Sequence, residues 1–277
     1  MIDSKLQQQL RDSYNPDGSE LRKAQLRMTD MLIFFDKVCA KYNLRYWLDS
    51  GTLLGACRHG GFIPWDDDTD VCMPLEDLLK LKEIMAKDNL SNEFFLQSHE
   101  NERNYLRIEW CVLRDLKSEY VQDSRFHNGL KHRGLQIDIF PMEIGVRPKL
   151  KWIIDQIYNR FITRFVMDKK IPYRFGMGEA RFMHFTVTKI LIPIFRLFDN
   201  KSCNYYSAAY GVPLVTKRYL KNVYPLTRIS FEGHELNSPY NPDGYLTDLY
   251  GDWKKIPDPD KIQTHHVRVK YYDKPVY

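Results

Sequence analysis

Apolar residues recur along the chain with two periods, and each period marks a different kind of element. Leu21, Met28, Met31, Leu32, Phe35, Val38 and Cys39 return near helical spacing with charges between them, which predicts an amphipathic helix over 20–41. "RYWLDSG" reads as a short strand broken at Gly51, and "TLLGACR" as a short helix after it. "TDVCM" is a second strand ending at Pro74, and "LEDLLKLKEIMAKD" an amphipathic helix. "EFFLQS", "YLRIEWCVLRD", "SEYVQD" and "LQIDIFPM" follow as strands. This alternation predicts an α/β or α+β domain with a mixed β-sheet flanked by helices.

The pattern changes near residue 147. Residues 147–200 read as largely helical, and "KLKWIIDQIYNRFITRFVMDKK" sets Trp152, Ile153, Ile157, Phe161 and Phe165 among Lys149, Lys151, Arg160, Arg164, Lys169 and Lys170. Such a segment is either a core helix with a solvated basic face or a helix resting on an anionic membrane. Beyond residue 226, "RISFEGHELNSP" suggests a hairpin with Gly233 in its turn, and "NPDGYLTDLYGDWKKIP" a capped helix ending at Gly251. The expected organisation is an N-terminal extension (1–24), a core (25–146), a helical, basic-aromatic lobe (147–225), and a C-terminal hairpin and helix (226–277) closing the site.

Charge and cysteine usage narrow the function classes. A net charge of +5 over 277 residues suits an anionic partner such as a nucleotide, a phosphorylated glycan or a lipid headgroup, but is too weak to argue for nucleic acid. The five cysteines are scattered, form no CxxC pair and have no zinc-finger spacing, which suggests a reducing compartment. Residues 1–20 have no apolar stretch of the kind a secretory signal needs. The most apolar window, 185–198, is interrupted by Lys189, Pro193 and Arg196 and is too short and charged to span a bilayer. A cytoplasmic location is expected, with peripheral contact to an anionic membrane through 147–200 as the alternative to a wholly solvated lobe.

The candidate chemistry lies in "RHGGFIPWDDDTDVCMP", residues 58–74, where four carboxylates fall within Asp66 to Asp70 between apolar flanks. Asp68 and Asp70 are two apart on a predicted strand, so both point to one face. Like charges held together raise one pKa unless a cation compensates, and magnesium, with manganese as its substitute, suits such hard oxygen ligands. Asp138, in the equally apolar "LQIDIFP", is the candidate third ligand. Asp66 and Asp67 precede the strand and are read as loop-orienting. Three carboxylates on neighbouring strands holding metal against phosphate is a recurring phosphoryl- and nucleotidyl-transfer arrangement. Upstream, Gly51 permits close backbone approach, the following helix offers its amides to an anion, Thr52 adds a hydroxyl, and Arg58 a fork suited to phosphate.

Three stretches together, "GTLLGACRHGGFIPWDDDTDVCMP", "QIDIFP" and "YLTDLYGDWKKIPDPDKIQTHH", closely resemble the LicD family, of which fukutin is a distant member. The resemblance runs from about residue 25 to 266 and covers 147–225 only loosely. It implies a nucleotidyltransferase-like fold whose signature is Gly51-Thr52, preceded by Ser50, with Asp68-Thr69-Asp70-Val71 and Asp138 as catalytic and metal-binding carboxylates. Asp49 departs from the small or neutral residue frequent at its position, which bears on the donor site. The activity implied is transfer of a phospho-alcohol, phosphocholine first, from a CDP-linked donor to a sugar hydroxyl of a cell-surface glycan or lipid-linked oligosaccharide, releasing CMP. The general base is then a carboxylate of the cluster, or His265 or His266, although "THH" also reads as an ordinary surface loop. Trp65 either stacks on cytosine or packs the loop, His59 contacts phosphate or caps it, and Tyr250-Gly251-Asp252 closes the pocket. Two other readings stay open: a nucleotidyltransferase releasing pyrophosphate, and a non-catalytic, membrane-associated glycan-binding or assembly factor.

Overall fold

A computed structural model describes residues 3–88, 90–122, 124–168, 170–262 and 268–276. Two helices open the chain, α1 (Ser4–Tyr14) and α2 (Glu20–Lys41). The second starts where Ser19 Oγ accepts the Arg22 amide at 3.1 Å, and all seven apolar positions expected of it are buried. Then come β1 (Trp47–Leu48), α3 (Ser50–His59), β2 (Asp70–Pro74), α4 (Leu75–Lys87), β3 (Phe94–Gln97), β4 (Cys111–Asp115), β5 (Ser118–Tyr120), α5 (Arg125–Asn128) and β6 (Gln136–Ile144). The helical lobe comprises α6 (Pro148–Ile162), α7 (Tyr173–Thr186) and α8 (Ile192–Arg196), with π-helical turns at Thr163–Met167 and Val187–Leu191. The chain closes with β7 (Tyr205–Ala208), β8 (Arg218–Tyr219), α9 (Leu220–Val223), β9 (Thr227–Phe231), β10 (His234–Ser238), α10 (Pro242–Tyr250) and β11 (Val269–Tyr271).

The central sheet runs β1-β2-β6-β4-β3 and is mixed: β2 and β6 are parallel, and the other pairs are antiparallel. Strands in a parallel pair are covered on both faces and read as continuous apolar runs. Val71, Cys72, Met73, Ile137 and Ile139 are accordingly all fully buried. β2 occupies one edge of β6, while β4 and β7 follow one another along the other edge.

The structure departs from the hydrophobic pattern in three places. The strand expected over 105–115 begins only at Cys111, because Glu109 adopts a left-handed backbone (φ +56°). β5 leaves the central sheet to pair with β11. Residues 205–219, grouped by composition with the helical lobe, return as β7 and β8 and extend the sheet. The Gly233 hairpin forms as expected: Phe231 pairs with His234 across Glu232 and Gly233, both at positive φ.

The lobe has its own apolar core, in which Ile154, Tyr158, Met177, Ala180, Val187 and Ile192 meet Leu106, Ile108 and Tyr210. Arg196 clamps it to the sheet by donating to both oxygens of Glu109 at 2.7 Å and to both of Glu143 at 3.0 and 2.6 Å. Lys151 is not on the basic outer face: it is buried, paired with Asp155 at 3.0 Å and bonded to the Val212 carbonyl.

Candidate active site

The parallel register of β2 and β6 places Asp70 directly beside Asp138. β2 starts at Asp70, so Asp68 lies in the segment entering the strand, but that segment is already paired with β6 through Asp138 N–H and Thr69 O at 2.8 Å. Asp68 is exposed, Thr69 fully buried and Asp70 half-buried, which is the alternation that puts both carboxylates on one face. Asp66 completes the group. Its backbone carbonyl is held by the buried Gln25 amide at 2.9 Å, and its carboxylate sits against the α-carbon of Gly51. A Cβ on residue 51 would lie 2.7 Å from Asp66 Oδ2, so a larger residue there would force the Asp66 carboxylate to move.

The first turn of α3 is tied to the same strand. Asp70 N–H donates to Thr52 Oγ1 at 2.8 Å, and Asp49 N–H to the Asp70 carbonyl at 3.1 Å. Ser50, at φ +46°, turns the chain from β1 into α3 and donates its hydroxyl to Asp49 at 2.8 Å. Tyr250, on α10, meets Ser50 and lies in the field of Asp49 and Asp70, and burial with those charges pushes its hydroxyl up to about 12.

Electrostatics explain what the four aspartates need. Burial and the neighbouring Asp68 push Asp66 up to about 8. Burial, Asp68 and Asp138 push Asp70 well above the ordinary carboxylate range. Burial also lifts Asp138 to about 6 against the opposing pull of Arg114, although Gln136 Nε2 and Trp110 Nε1 donate to it at 3.0 and 3.1 Å. A divalent cation with hard oxygen preferences would offset this crowding of carboxylates, and an all-carboxylate donor set would suit magnesium or manganese rather than zinc. Among the described residues no three such side chains already form a metal cage, so the fit is one of charge and donor chemistry.

Asp68 and Asp138 stand at the wall of a cavity of about 400 Å³. Arg107, Trp110, Tyr120, Phe126, His127 and Gln136 also line it, with the Arg107 guanidinium 4.3 Å above the Trp110 ring. Sequence reasoning missed Arg107 and Trp110, because they lie in the irregular approach to β4 where no periodicity marks a role. Gln136 carried a signal: it is two residues before Asp138 on one strand and so shares its face.

Other expected site residues lie elsewhere. Arg58 is eight residues along α3 from Ser50, about 12 Å by helical rise. Its donors go to the Trp253 and Lys255 carbonyls at 3.0 and 3.2 Å and to His59 at 2.9 Å, tying down the C-terminal segment. Trp65 packs edge-on against Tyr14 and His59. Asp49 is fully buried, with Arg218 donating at 3.0 and 2.8 Å and Tyr245 donating as well. His265 and His266 fall outside the described residues.

A family model described as LicD/FKTN/FKRP, nucleotidyltransferase domain, matches residues 43–187, more than half of the chain. The chain belongs to the LicD family. The matched segment contains α3, β2 and β6, and so all four aspartates of the cluster. Lipopolysaccharide cholinephosphotransferase LicD of Haemophilus influenzae is 26% identical over 267 residues, 91% of this chain and 97% of that protein. Ribitol 5-phosphate transferase FKRP of Mus musculus is 34% identical over 143 residues, half of this chain and a quarter of its own length. Both similar LicD-family proteins are named as transferases.

Proposed function

We propose that this LicD-family enzyme transfers a phospho-alcohol, phosphocholine first, from a CDP-linked donor to a sugar hydroxyl of a cell-surface glycan, with release of CMP. The observation that carries the reading is the crowding of Asp66, Asp68, Asp70 and Asp138 beside a cavity with an arginine and an aromatic wall. The names of the two relatives support the choice of a phospho-alcohol over other groups.

Asp68, Asp70 and Asp138 would hold magnesium, which when bound neutralises charge on the donor diphosphate. Arg107, exposed at the cavity wall, offers a second cation to the phosphates, and its stacking on Trp110 fixes its direction. An oxygen lone pair of the acceptor hydroxyl attacks the phosphorus that carries the alcohol. The bond from that phosphorus to the bridging oxygen breaks, and CMP departs with the electron pair. The acceptor's proton passes to a carboxylate of the cluster. Glycine at position 51 and the Asp70–Thr52 hydrogen bond keep the carboxylates in place for this.

The test is a donor screen with magnesium, offering CDP-choline, CDP-glycerol, CDP-ribitol, CDP-ethanolamine and CTP, with and without Asp70→Asn. CMP release from one CDP-alcohol, dependent on magnesium and on Asp70, is expected. Pyrophosphate release from CTP alone would make the protein a nucleotidyltransferase and refute the proposal.

A further inference from the structure

The outer face of the helical lobe has a composition that the catalytic reading does not use. Along α7, the following π-helical turn, α8 and the turn after it, Phe182, Phe185, Ile190, Ile194, Leu197 and Phe198 are all exposed, Leu197 at 81% and Phe182 at 69%. In the same segment Met177, Ala180, His184 and Val187 are buried, so the large apolar side chains divide between an inner and a solvent side. On α6 the same division holds. Ile154 and Tyr158 are buried, while Trp152 is 62% exposed, and Lys149 and Arg160 are exposed too. Trp152, Ile153, Pro148 and Lys149 line an open apolar depression. Monomeric soluble proteins seldom leave so much large apolar surface uncovered.

Charge selects the partner. Residues 147–201 carry twelve Lys and Arg against four Asp and Glu, a net +8 in a chain whose total is +5, so the rest of the molecule sums to −3. Protein–protein interface cores are depleted in lysine, whereas aromatics interleaved with Lys and Arg suit the headgroup level of an anionic bilayer. No helix among the described residues is long and apolar enough to cross a membrane, so the contact is one of surface seating. From this combination we infer that the outer faces of α6 and of the α7–α8 rod seat the protein on a bilayer containing anionic lipid. The inference goes beyond the proposed catalysis and does not depend on it.

The experiment is flotation of the full chain with vesicles of phosphatidylcholine alone and of phosphatidylcholine with phosphatidylglycerol, at low and high salt. Wild type is expected to float with the anionic vesicles and to be released by salt. Each Lys or Arg near such a surface contributes about 1 kcal/mol, so Lys149→Gln/Arg160→Gln should weaken partitioning on the order of thirtyfold. Phe182→Ser/Leu197→Ser should weaken binding to both vesicle types. These side chains are exposed, so unchanged thermal unfolding reports that the variants fold. Asp68→Asn should float like wild type, which separates this result from the fate of the catalytic proposal. Wild type remaining with the pellet overturns the inference, as does a concentration-dependent dimer that Phe182→Ser/Leu197→Ser dissolves without any lipid effect. The latter outcome assigns the face to a second copy of the chain.

Discussion

Replacing Arg218 by methionine isolates the group that fixes the first turn of α3. Arg218 and Asp49 are 2% and 0% exposed, and joined by two hydrogen bonds of 3.0 and 2.8 Å. Arg218 Nε also donates to Tyr245 Oη at 2.9 Å, and Trp47 Nε1 to the same oxygen at 2.8 Å. The ion pair draws the Asp49 carboxyl below its ordinary value even against the cost of burial. Arg218→Met removes the cation and leaves a carboxylate in the core, with Tyr245 and Ser50 still donating to it. An uncompensated buried charge of this kind costs about 3–5 kcal/mol. For a chain of this size that lowers the thermal midpoint by roughly 6–20 °C. Adding Asp49→Asn removes the orphaned charge, and replacing a whole buried pair is far less costly than breaking it. The double variant should therefore be at least ~2 kcal/mol more stable than Arg218→Met. Urea unfolding of wild type, both single variants and the double variant measures this coupling. A single variant that loses under ~1 kcal/mol, or a double variant that recovers nothing, would refute the reasoning.

Three further outcomes follow from particular residues. His184 is 2% exposed, and burial pushes its imidazole down to about 3, so folding favours the neutral ring. Its contribution is fully present above the free-histidine value near 6.5 and is lost as pH falls from there towards 3, at about 1.4 kcal/mol per pH unit. Urea midpoints measured across that range should fall less steeply in His184→Gln. Gly178 has open space where a Cβ would go, whereas at Gly55 a Cβ would meet the Gly61 carbonyl oxygen 2.4 Å away. Gly178→Ala should stabilise by roughly 0.5–1 kcal/mol and Gly55→Ala destabilise by roughly 1–3 kcal/mol, as read by denaturant midpoints. Asp70→Asn should cut turnover by at least roughly a hundredfold. Because it relieves repulsion among Asp66, Asp68 and Asp138, it should also raise the thermal midpoint without divalent cation and remove the further rise that magnesium gives wild type.

Local periodicity carried much of the fold. The spacing of Leu21 to Cys39 specified α2, the unbroken apolar runs around Val71 and Ile139 marked two buried strands, and Gly233 marked the hairpin turn. These signals are local because helical and strand periods, and the positive φ of a tight turn, are set by neighbouring residues. Likewise the acidic-x-acidic spacing of Asp68 and Asp70 announced two carboxylates on one face before any partner was known.

Tertiary structure decided what those residues meet. Asp66 became part of the cluster because Gly51, fifteen residues earlier, leaves room for its carboxylate. Asp49 is held in the core by Arg218, which is 169 residues away in sequence. Arg107 and Trp110 reached the cavity wall through the break at Glu109, and β7 and β8 rejoined the sheet after a 55-residue helical excursion bearing its own core. No local pattern encodes such meetings. Burial, pairing of charge and the room left by a missing Cβ depend on chain segments that become neighbours only when the sheet closes.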